Sequence, residues 1–207
     1  MTRTETPWGT WEPFTPADTA ALLAATDRPW WFAGGYAIEF AVGRAYRDHD
    51  DIDIMVLRPD QAVIQEVLPT WEWWAADPPG TLRPWQAGEV LPDGVHDIWC
   101  RPGPEEPWRI QFMLDEVEGE DWVSRREPLV RRPLAEYGRL TADGLPYVAP
   151  EIQLFYKSKG LRPKDEQDFE EVLPILTQGE RDWLMAVLAL SSGDHPWIRR
   201  IDEAGAA

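Results

Sequence analysis

Apolar residues recur along this chain with two different spacings, which predicts a mixture of strands and helices. Short runs rich in β-branched and aromatic side chains are typical of buried strands. The predicted strands lie at residues 30–33, 50–57, 71–76, 95–101 and 108–114, and a predicted hairpin pairs residues 139–141 with 145–148. Apolar residues three and four positions apart predict helices instead. The predicted helices lie at residues 16–25, 36–42, 59–68, 151–159, 165–176 and 180–190. The pattern therefore predicts an α+β fold.

Residues that start or stop backbone elements support these boundaries. Thr15 followed by Pro16 is typical of a helix start, with the threonine as N-cap and the proline in the first turn. Gly43 is typical of a helix C-terminus, and Asp143-Gly144 predicts a hairpin turn. Residues 1–16 are rich in proline and threonine and predict an irregular arm.

The predicted strands end near residue 148, and the pattern beyond it is helical. We therefore predict a core at residues 1–148, which includes the N-terminal arm, and a helical cap at residues 149–207. No apolar run approaches the length that spans a membrane, and the first residues lack the apolar segment of a signal peptide. Cys100 is the only cysteine, which agrees with a reducing compartment. We expect a cytoplasmic protein without membrane contact.

The formal net charge of −17 opposes an extended nucleic-acid-binding surface, because such surfaces are usually basic. Nucleic acid is therefore not the expected partner. A negative field favours a cationic small substrate, although a general role in solubility explains the total charge more simply. The charge bears on the substrate only where it gathers at a binding cleft.

Two aspartates carry the strongest chemical signal in the sequence. Asp51 and Asp53 alternate with Ile52 and Ile54, so both carboxylates lie on one face of a strand. Burial of Asp53 in such a strand without a partner is costly, and Mg²⁺ prefers carboxylate oxygens. A divalent-cation site is therefore predicted here, with a solvated acidic loop as the alternative.

A glycine pair lies a short distance upstream of the aspartates. Gly34-Gly35 separates a predicted strand from a predicted helix, so the backbone can approach the phosphates of a nucleotide at the helix N-terminus. A tight turn without a ligand is the alternative interpretation of the glycines alone. Together with Asp51 and Asp53, the glycines indicate phosphoryl or nucleotidyl transfer.

At this spacing the motifs resemble a known superfamily. The run from Gly34-Gly35 through Gly43-Arg44 to His49-Asp50-Asp51-Ile52-Asp53 is similar to the DNA polymerase β-type nucleotidyltransferases, and within them to the aminoglycoside 2″-nucleotidyltransferases. The resemblance covers about residues 30–57. It implies a mixed sheet with helices on one face, followed by a small helical C-terminal region. It also implies two Mg²⁺ ions and a nucleoside triphosphate donor, with Asp51 and Asp53 as metal ligands.

The same resemblance implies a third carboxylate on a neighbouring strand, which shares a metal ion and acts as base on the acceptor hydroxyl. Asp115 is the first choice, because the predicted strand at residues 108–114 ends in the acidic sequence Leu114-Asp115-Glu116. Asp97, in the predicted strand at residues 95–101, is the second choice. A strand-end aspartate that faces water is the alternative for either residue.

Basic residues are scarce, so their positions matter. Arg44 and Arg47 flank the strand of the metal site, and Lys157 and Lys164 lie on and after the first cap helix. Arg44, Lys157 and Lys164 are expected to contact the triphosphate or the leaving pyrophosphate. The segment at residues 164–168 is similar to Lys-Asp-x-x-Asp segments of related nucleotidyltransferases. Local ion pairs on a solvated surface are the alternative.

These observations together predict an adenylyltransferase-like enzyme. It would transfer a nucleoside monophosphate from a nucleoside triphosphate to a hydroxyl group of a small, cationic, aminoglycoside-like antibiotic. The cation would be received by acidic and aromatic side chains, namely Glu116, Glu118, Asp121 and Trp122. One alternative is a toxin-type nucleotidyltransferase that acts on tRNA or protein. Another is a nucleotide-binding module without catalytic activity.

Overall fold

A computed structural model describes residues 3–205 of the chain. Its strands are β1 (Thr4–Thr6), β2 (Gly9–Trp11), β3 (Trp30–Phe32), β4 (Asp53–Leu57), β5 (Glu72–Ala75), β6 (Arg83–Pro84), β7 (Asp97–Arg101), β8 (Ile110–Glu118), β9 (Asp121–Val123), β10 (Arg131–Pro133), β11 (Gly138–Leu140) and β12 (Pro146–Val148). Its α-helices are α1 (Pro16–Leu23), α2 (Gly34–Val42), α3 (Ala62–Val67), α4 (Pro150–Lys157), α5 (Pro163–Val172), α6 (Gln178–Ser192) and α7 (Pro196–Gly205).

Most of the strands form one mixed sheet in the order β11-β12-β3-β4-β8-β7-β5-β6. β4 runs parallel to β8 and antiparallel to β3, and β12 runs parallel to β3. The far part of β8 pairs with β9, which pairs in turn with β10. The mixed sheet and the helical region after β12 confirm the predicted α+β class.

The two faces of the sheet carry different side chains around β4. Phe32 and Ile54 are register partners on one face, and Phe32 packs edge to face on Phe40 of α2 with ring centroids 5.2 Å apart. Side chains alternate along a strand, so Asp53 and its register partner Gln111 lie on the opposite face. The face with Phe32 and Ile54 is core, and the face with Asp53 is free to form a site.

Local signals in the sequence set several boundaries correctly. Thr15 and Asp18 form a capping box at the start of α1, and Gly43 ends α2 in the left-handed conformation with φ 77°. β11 and β12 pair antiparallel across the turn at Asp143-Gly144. The predicted domain division at residues 148 and 149 falls between β12 and α4. The division of the chain into two domains stays a prediction.

The N-terminal residues differ from the predicted irregular arm. β1 and β2 form a hairpin, and the ring N–H of Trp108 donates to the carbonyl oxygen of Trp8 over 2.8 Å. Trp11 is buried, and its ring meets Trp99 edge to face at 4.9 Å. Strands of three residues give no detectable period, so only these tertiary contacts define the hairpin. No pattern in the sequence indicated β9, β10 or α7. The strands β9 and β10 also have only three residues each, which is too short to give a detectable period.

Within residues 3–205, no helix combines the length and the apolar character that a membrane span requires.

Candidate active site

A pocket of about 560 Å³ opens on the sheet face that carries Asp53. Its floor is formed by side chains of β4 and β8, among them Asp53 and Gln111. One wall is the start of α2, with Gly34 and Gly35, and the facing wall is the segment from the end of α4 to the start of α5. The pocket residues that the sequence predicted are Gly34, Gly35, Asp51, Asp53, Lys157 and Lys164.

The glycine turn is in direct contact with the aspartate below it. Gly34 has φ 60°, and a Cβ atom at this residue would lie 2.0 Å from Oδ2 of Asp53. A Cβ atom at Gly35 would lie 2.3 Å from Nη2 of Arg47. The Gly34 N–H donates to Oε1 of Gln153 over 2.9 Å. Both positions therefore favour glycine. The sequence predicted that the backbone here could approach a phosphate closely, and in the structure the backbone at Gly34 approaches the Asp53 carboxylate closely.

Substitution of Gly34 by alanine is expected to lower the transferase activity proposed below by about 100-fold, as a displaced carboxylate and local strain of about 1–3 kcal/mol act together. Gly144→Ala is the matched control, since Gly144 also has a positive φ (84°) but a Cβ atom there would meet no other atom within 4 Å. Thermal unfolding and initial rates are measured for both variants. Equal activity losses in the two variants would show that contact with Asp53 is unimportant.

The two predicted metal ligands stand together in the pocket. Asp53 is the first residue of β4 and Asp51 precedes it by two. Burial raises the pKa of Asp53 to about 8, and the charges of Asp51 and Asp97 add to the rise, whereas Lys157 and Lys164 oppose it. Carboxylates that repel each other in a partly dry pocket are stabilised by a cation.

Asp97 is the carboxylate that β7 brings toward this pair. It is a register partner of Met113, which lines the pocket, and its Oδ1 accepts a hydrogen bond of 3.2 Å from Gln111. Gln111 is itself the register partner of Asp53. The second choice from the sequence is therefore hydrogen-bonded to the residue that pairs with Asp53 in the sheet.

Asp115, the first choice for the third carboxylate, requires a correction. β8 runs on to Glu118, so Asp115 lies within the strand instead of at its end, and its register partner is Leu57. Four residues of strand, about 13 Å, separate this position from that of Asp53. The buried Asp115 carboxylate accepts hydrogen bonds from Trp122 (2.7 Å), Tyr137 (2.8 Å) and Tyr156 (2.7 Å). The structure therefore does not bring Asp115 to the metal pair.

The predicted phosphate-binding cations separate into two groups. Lys157 and Lys164 line the pocket, and Nζ of Lys157 lies 2.7 Å from Oδ2 of Asp168. Arg44 does not line this pocket and pairs with Glu171 of α5 at 2.5 Å, so the structure does not bring it together with the other predicted cations. Arg47 takes its place at the pocket and binds both carboxylate oxygens of Asp168 over 2.7 and 3.0 Å.

The acidic residues that were expected to receive a cationic acceptor are engaged elsewhere. Glu116 pairs with Arg58 at 2.7 Å, and Glu118 pairs with Arg131. Trp122 is fully buried and donates to Asp115. None of these residues, nor Asp121, lines the pocket, so the structure does not bring this part of the predicted acceptor site to Asp51 and Asp53.

Several pocket residues were missed by sequence reasoning. Gln153 lies one helical turn before Lys157 on α4, so the spacing of four residues was a usable signal for it. Gln111 and Arg125 also line the pocket. They come from a strand and from the residues after β9, and a register between distant strands or a loop position leaves no trace in a local sequence pattern.

The donor set fits Mg²⁺ that arrives with a nucleotide. In the part of the chain that the structure describes, no group of three or more His, Cys, Asp or Glu side chains is arranged to hold a metal ion. Mg²⁺, however, usually binds through one or two carboxylates together with substrate phosphates and water. Asp51 and Asp53 supply two carboxylates, and the lysines of the facing wall would hold phosphates next to them.

A mixed sheet, an Asp-x-Asp strand and a glycine turn beside it define a nucleotidyltransferase fold. A family model described as aminoglycoside-2″-adenylyltransferase matches residues 17–72, which include both glycines and both aspartates. This match confirms the resemblance predicted from the sequence. No curated protein matches the chain significantly.

Solved structures of antibiotic-modifying enzymes share the fold. The lincosamide antibiotic adenylyltransferase LnuA, bound to lincomycin, covers 80% of this chain and 100% of its own at 16% identity, with a TM-score of 0.55. The antibiotic-resistance factor ANT(2″)-Ia covers 84% of this chain and 89% of its own at 17% identity, with a TM-score of 0.52. The complex of ANT(2″)-Ia with adenylyl-2″-tobramycin covers 82% of this chain and 92% of its own at 16% identity, with a TM-score of 0.50. The family match and the shared fold both support a nucleotidyltransferase enzyme.

Proposed function

We propose that this protein transfers a nucleoside monophosphate from a nucleoside triphosphate to a hydroxyl group of a small, antibiotic-like molecule. The observation that carries the proposal is the contact between Gly34 and Asp53, with Asp51 beside them and lysines on the facing wall. This arrangement supports the proposal, because groups suited to binding phosphate and Mg²⁺ lie around one pocket. The family match over the same residues supports it.

In the proposed reaction, the acceptor oxygen forms a bond to the α-phosphorus while the bond from that phosphorus to the bridging oxygen breaks, and pyrophosphate leaves. Lys157 and Lys164 would neutralise the β- and γ-phosphates. Asp51 and Asp53 would hold Mg²⁺. The ions, when bound, stabilise the charge on the entering and leaving oxygens.

We propose Asp97, in place of Asp115, as the residue that receives the proton of the acceptor hydroxyl. Its hydrogen bond with Gln111, the register partner of Asp53, supports this role. Asp115 is unsuited to it because three donors already occupy its oxygens. Asp97→Asn is the corresponding variant in the assay below, and it is expected to lower the rate with little change in nucleotide affinity.

The acceptor is proposed from the relatives and from the pocket. LnuA binds lincomycin, and ANT(2″)-Ia is seen with an adenylylated tobramycin. The predicted acidic receptor for a polycation is absent from the pocket, so uncharged hydroxyl compounds belong beside aminoglycosides in any search. The single cysteine and the need for nucleoside triphosphate favour action in the cytoplasm.

Pyrophosphate release with Mg²⁺, ATP or GTP, and a panel of aminoglycosides and lincosamides tests the proposal. We expect acceptor-dependent release and a mass increase of the acceptor by one nucleoside monophosphate. Total RNA and protein are included as acceptors, and label transferred only to them would favour the toxin-type alternative. Tight nucleotide binding without turnover on any acceptor would favour a module without catalytic activity.

A further inference from the structure

Arg125 differs from Lys157 and from the two other arginines of the pocket, Arg47 and Arg162. Arg47 and Lys157 lie within 2.7 Å of Asp168, and Arg162 lies within 2.7 Å of Asp165. Arg125 also lines the pocket, but within residues 3–205 no carboxylate oxygen lies within 4.0 Å of its guanidinium. It contacts β8 through Leu114 and Met113.

The hydrogen bonds of Arg125 leave most of its donors unused. Nη1 donates to the carbonyl oxygen of Leu114 over 3.0 Å, and Nη2 approaches the sulfur of Met113 at 3.9 Å. A guanidinium has five N–H donors in a fixed plane, and a thioether is a weak acceptor. Arg125 is half-buried, and a charge that is partly removed from water without a close counter-ion is costly, so an anion from outside would complete this site.

Arg125 is held in place from below by the cluster around Asp115. Its guanidinium lies over the ring of Tyr156 at 5.1 Å from the centroid. The Tyr156 hydroxyl donates to both oxygens of Asp115, over 2.7 and 2.9 Å. Burial raises the pKa of Asp115, and the charge of Arg125 and the hydrogen bonds from Tyr156, Tyr137 and Trp122 oppose that rise. The three hydrogen bonds therefore fix the Asp115 carboxyl group behind the arginine, and Asp115 itself accepts no hydrogen bond from Arg125.

We propose that Arg125 binds a phosphate group of the nucleotide through its guanidinium fork, and that Tyr156 and Asp115 are the residues that position it. The inference rests on the proposed function and adds a phosphate contact on the β8 side of the pocket. Phosphate fits because its oxygens accept two parallel N–H donors. It also gives the buried Asp115 cluster a role in place of metal binding.

Calorimetric titration with Mg²⁺ and α,β-methylene ATP tests the inference without knowledge of the acceptor. Arg125→Gln is expected to weaken binding about tenfold or more, as charged hydrogen bonds of this kind do. Arg125→Lys keeps the charge without the fork and is expected to fall between this variant and the wild type. Arg131→Gln is the matched control, because it removes the same charge from an exposed pair with Glu118, and it should bind within about twofold of the wild type.

Separate titrations with pyrophosphate and with AMP identify the phosphate that Arg125 contacts. A loss confined to pyrophosphate assigns the β- or γ-phosphate, and a loss confined to AMP assigns the α-phosphate. Wild-type affinity in folded Arg125→Gln would overturn the inference and leave the proposed function standing. If that variant does not fold, wild-type affinity in Arg125→Lys overturns it. Absence of nucleotide binding in the wild-type protein would overturn both.

The positioning role of Tyr156 is tested by a double-mutant cycle. Tyr156→Phe removes the hydroxyl that donates to Asp115 and is expected to weaken α,β-methylene ATP binding several-fold in the wild-type background. In the Arg125→Gln background the same change should have no further effect on binding, because the two residues act through one contact. Equal losses in both backgrounds would show that Tyr156 acts independently of Arg125.

Discussion

Replacement of Asp53 by asparagine is expected to lower nucleotidyl transfer by at least about 10³-fold, since a metal site contributes several kcal/mol to the transition state. The same variant should be at least as stable as the wild type. Asp53 is half-buried and the charges of Asp51 and Asp97 disfavour its ionised form; the amide removes that repulsion while filling the same volume. A loss of activity with unchanged or raised thermal stability is typical of a functional residue held at a cost in stability.

Asp27→Asn is the matched control for this prediction, because the Asp27 side chain is 97% exposed and lies far from the pocket in the turn after α1. It should leave both activity and stability unchanged. Pyrophosphate release and thermal unfolding are measured for both variants. A fully active Asp53→Asn protein would disprove the proposed metal role, and a strongly destabilised one would show that Asp53 is a structural residue.

Replacement of Asp168 by asparagine is expected to destabilise the fold by about 3–5 kcal/mol, the usual result when one partner of a buried ion pair is removed. Asp168 is fully buried. It binds Arg47 over 2.7 Å and Lys157 over 2.7 Å, and it accepts a hydrogen bond from Tyr46. Asparagine would leave two buried cations without their main counter-charge. Urea unfolding measures the change, with the exposed Asp182→Asn on α6 as the control.

The effect of Asp168 should also depend on pH. Burial raises the pKa of Asp168, but the hydrogen bond and charge of Arg47 and Lys157 outweigh burial and hold the pKa below its ordinary value. A carboxyl group with a lowered pKa in the folded state stabilises the protein above its unfolded pKa, near 3.9, and this stabilisation is lost as pH falls further. The stability difference between wild type and Asp168→Asn should therefore be constant from about pH 5 to 7 and shrink below about pH 4. A difference that grows below about pH 4 would contradict the assignment.

The sequence was sufficient for the features that depend on local chemistry. Thr15 caps the start of α1 and Gly43 caps the end of α2, as predicted. The alternation of side chains predicted that Asp53 lies on the face of β4 opposite to Ile54. The glycine pair and the aspartates met as the resemblance implied. Gly34 and Asp53 are 19 residues apart in the chain, so no knowledge of the tertiary fold was needed to join them.

The positions of the predicted third carboxylate and of the predicted phosphate-binding cations depend on tertiary contacts, which a local sequence pattern does not reveal. Asp115 looked like a strand-end residue because its strand was predicted four residues too short at the C-terminal end. Arg44 and Arg47 are three residues apart, yet one pairs with Glu171 and the other lines the pocket. Contacts between residues distant in the chain decided both cases.

The parallel pairing of β12 with β3 has a consequence for how the chain acquires its site. Tyr147 lies beside Phe32 in the sheet, Gln153 holds the Gly34 amide, and Asp168 anchors Arg47. A ribosome must therefore deliver roughly four fifths of the polypeptide before the glycine turn gains its supports, and contacts of such long sequence separation form slowly. Competence for nucleotide would arrive late in biosynthesis, after the hairpins and the single helices have had time to form.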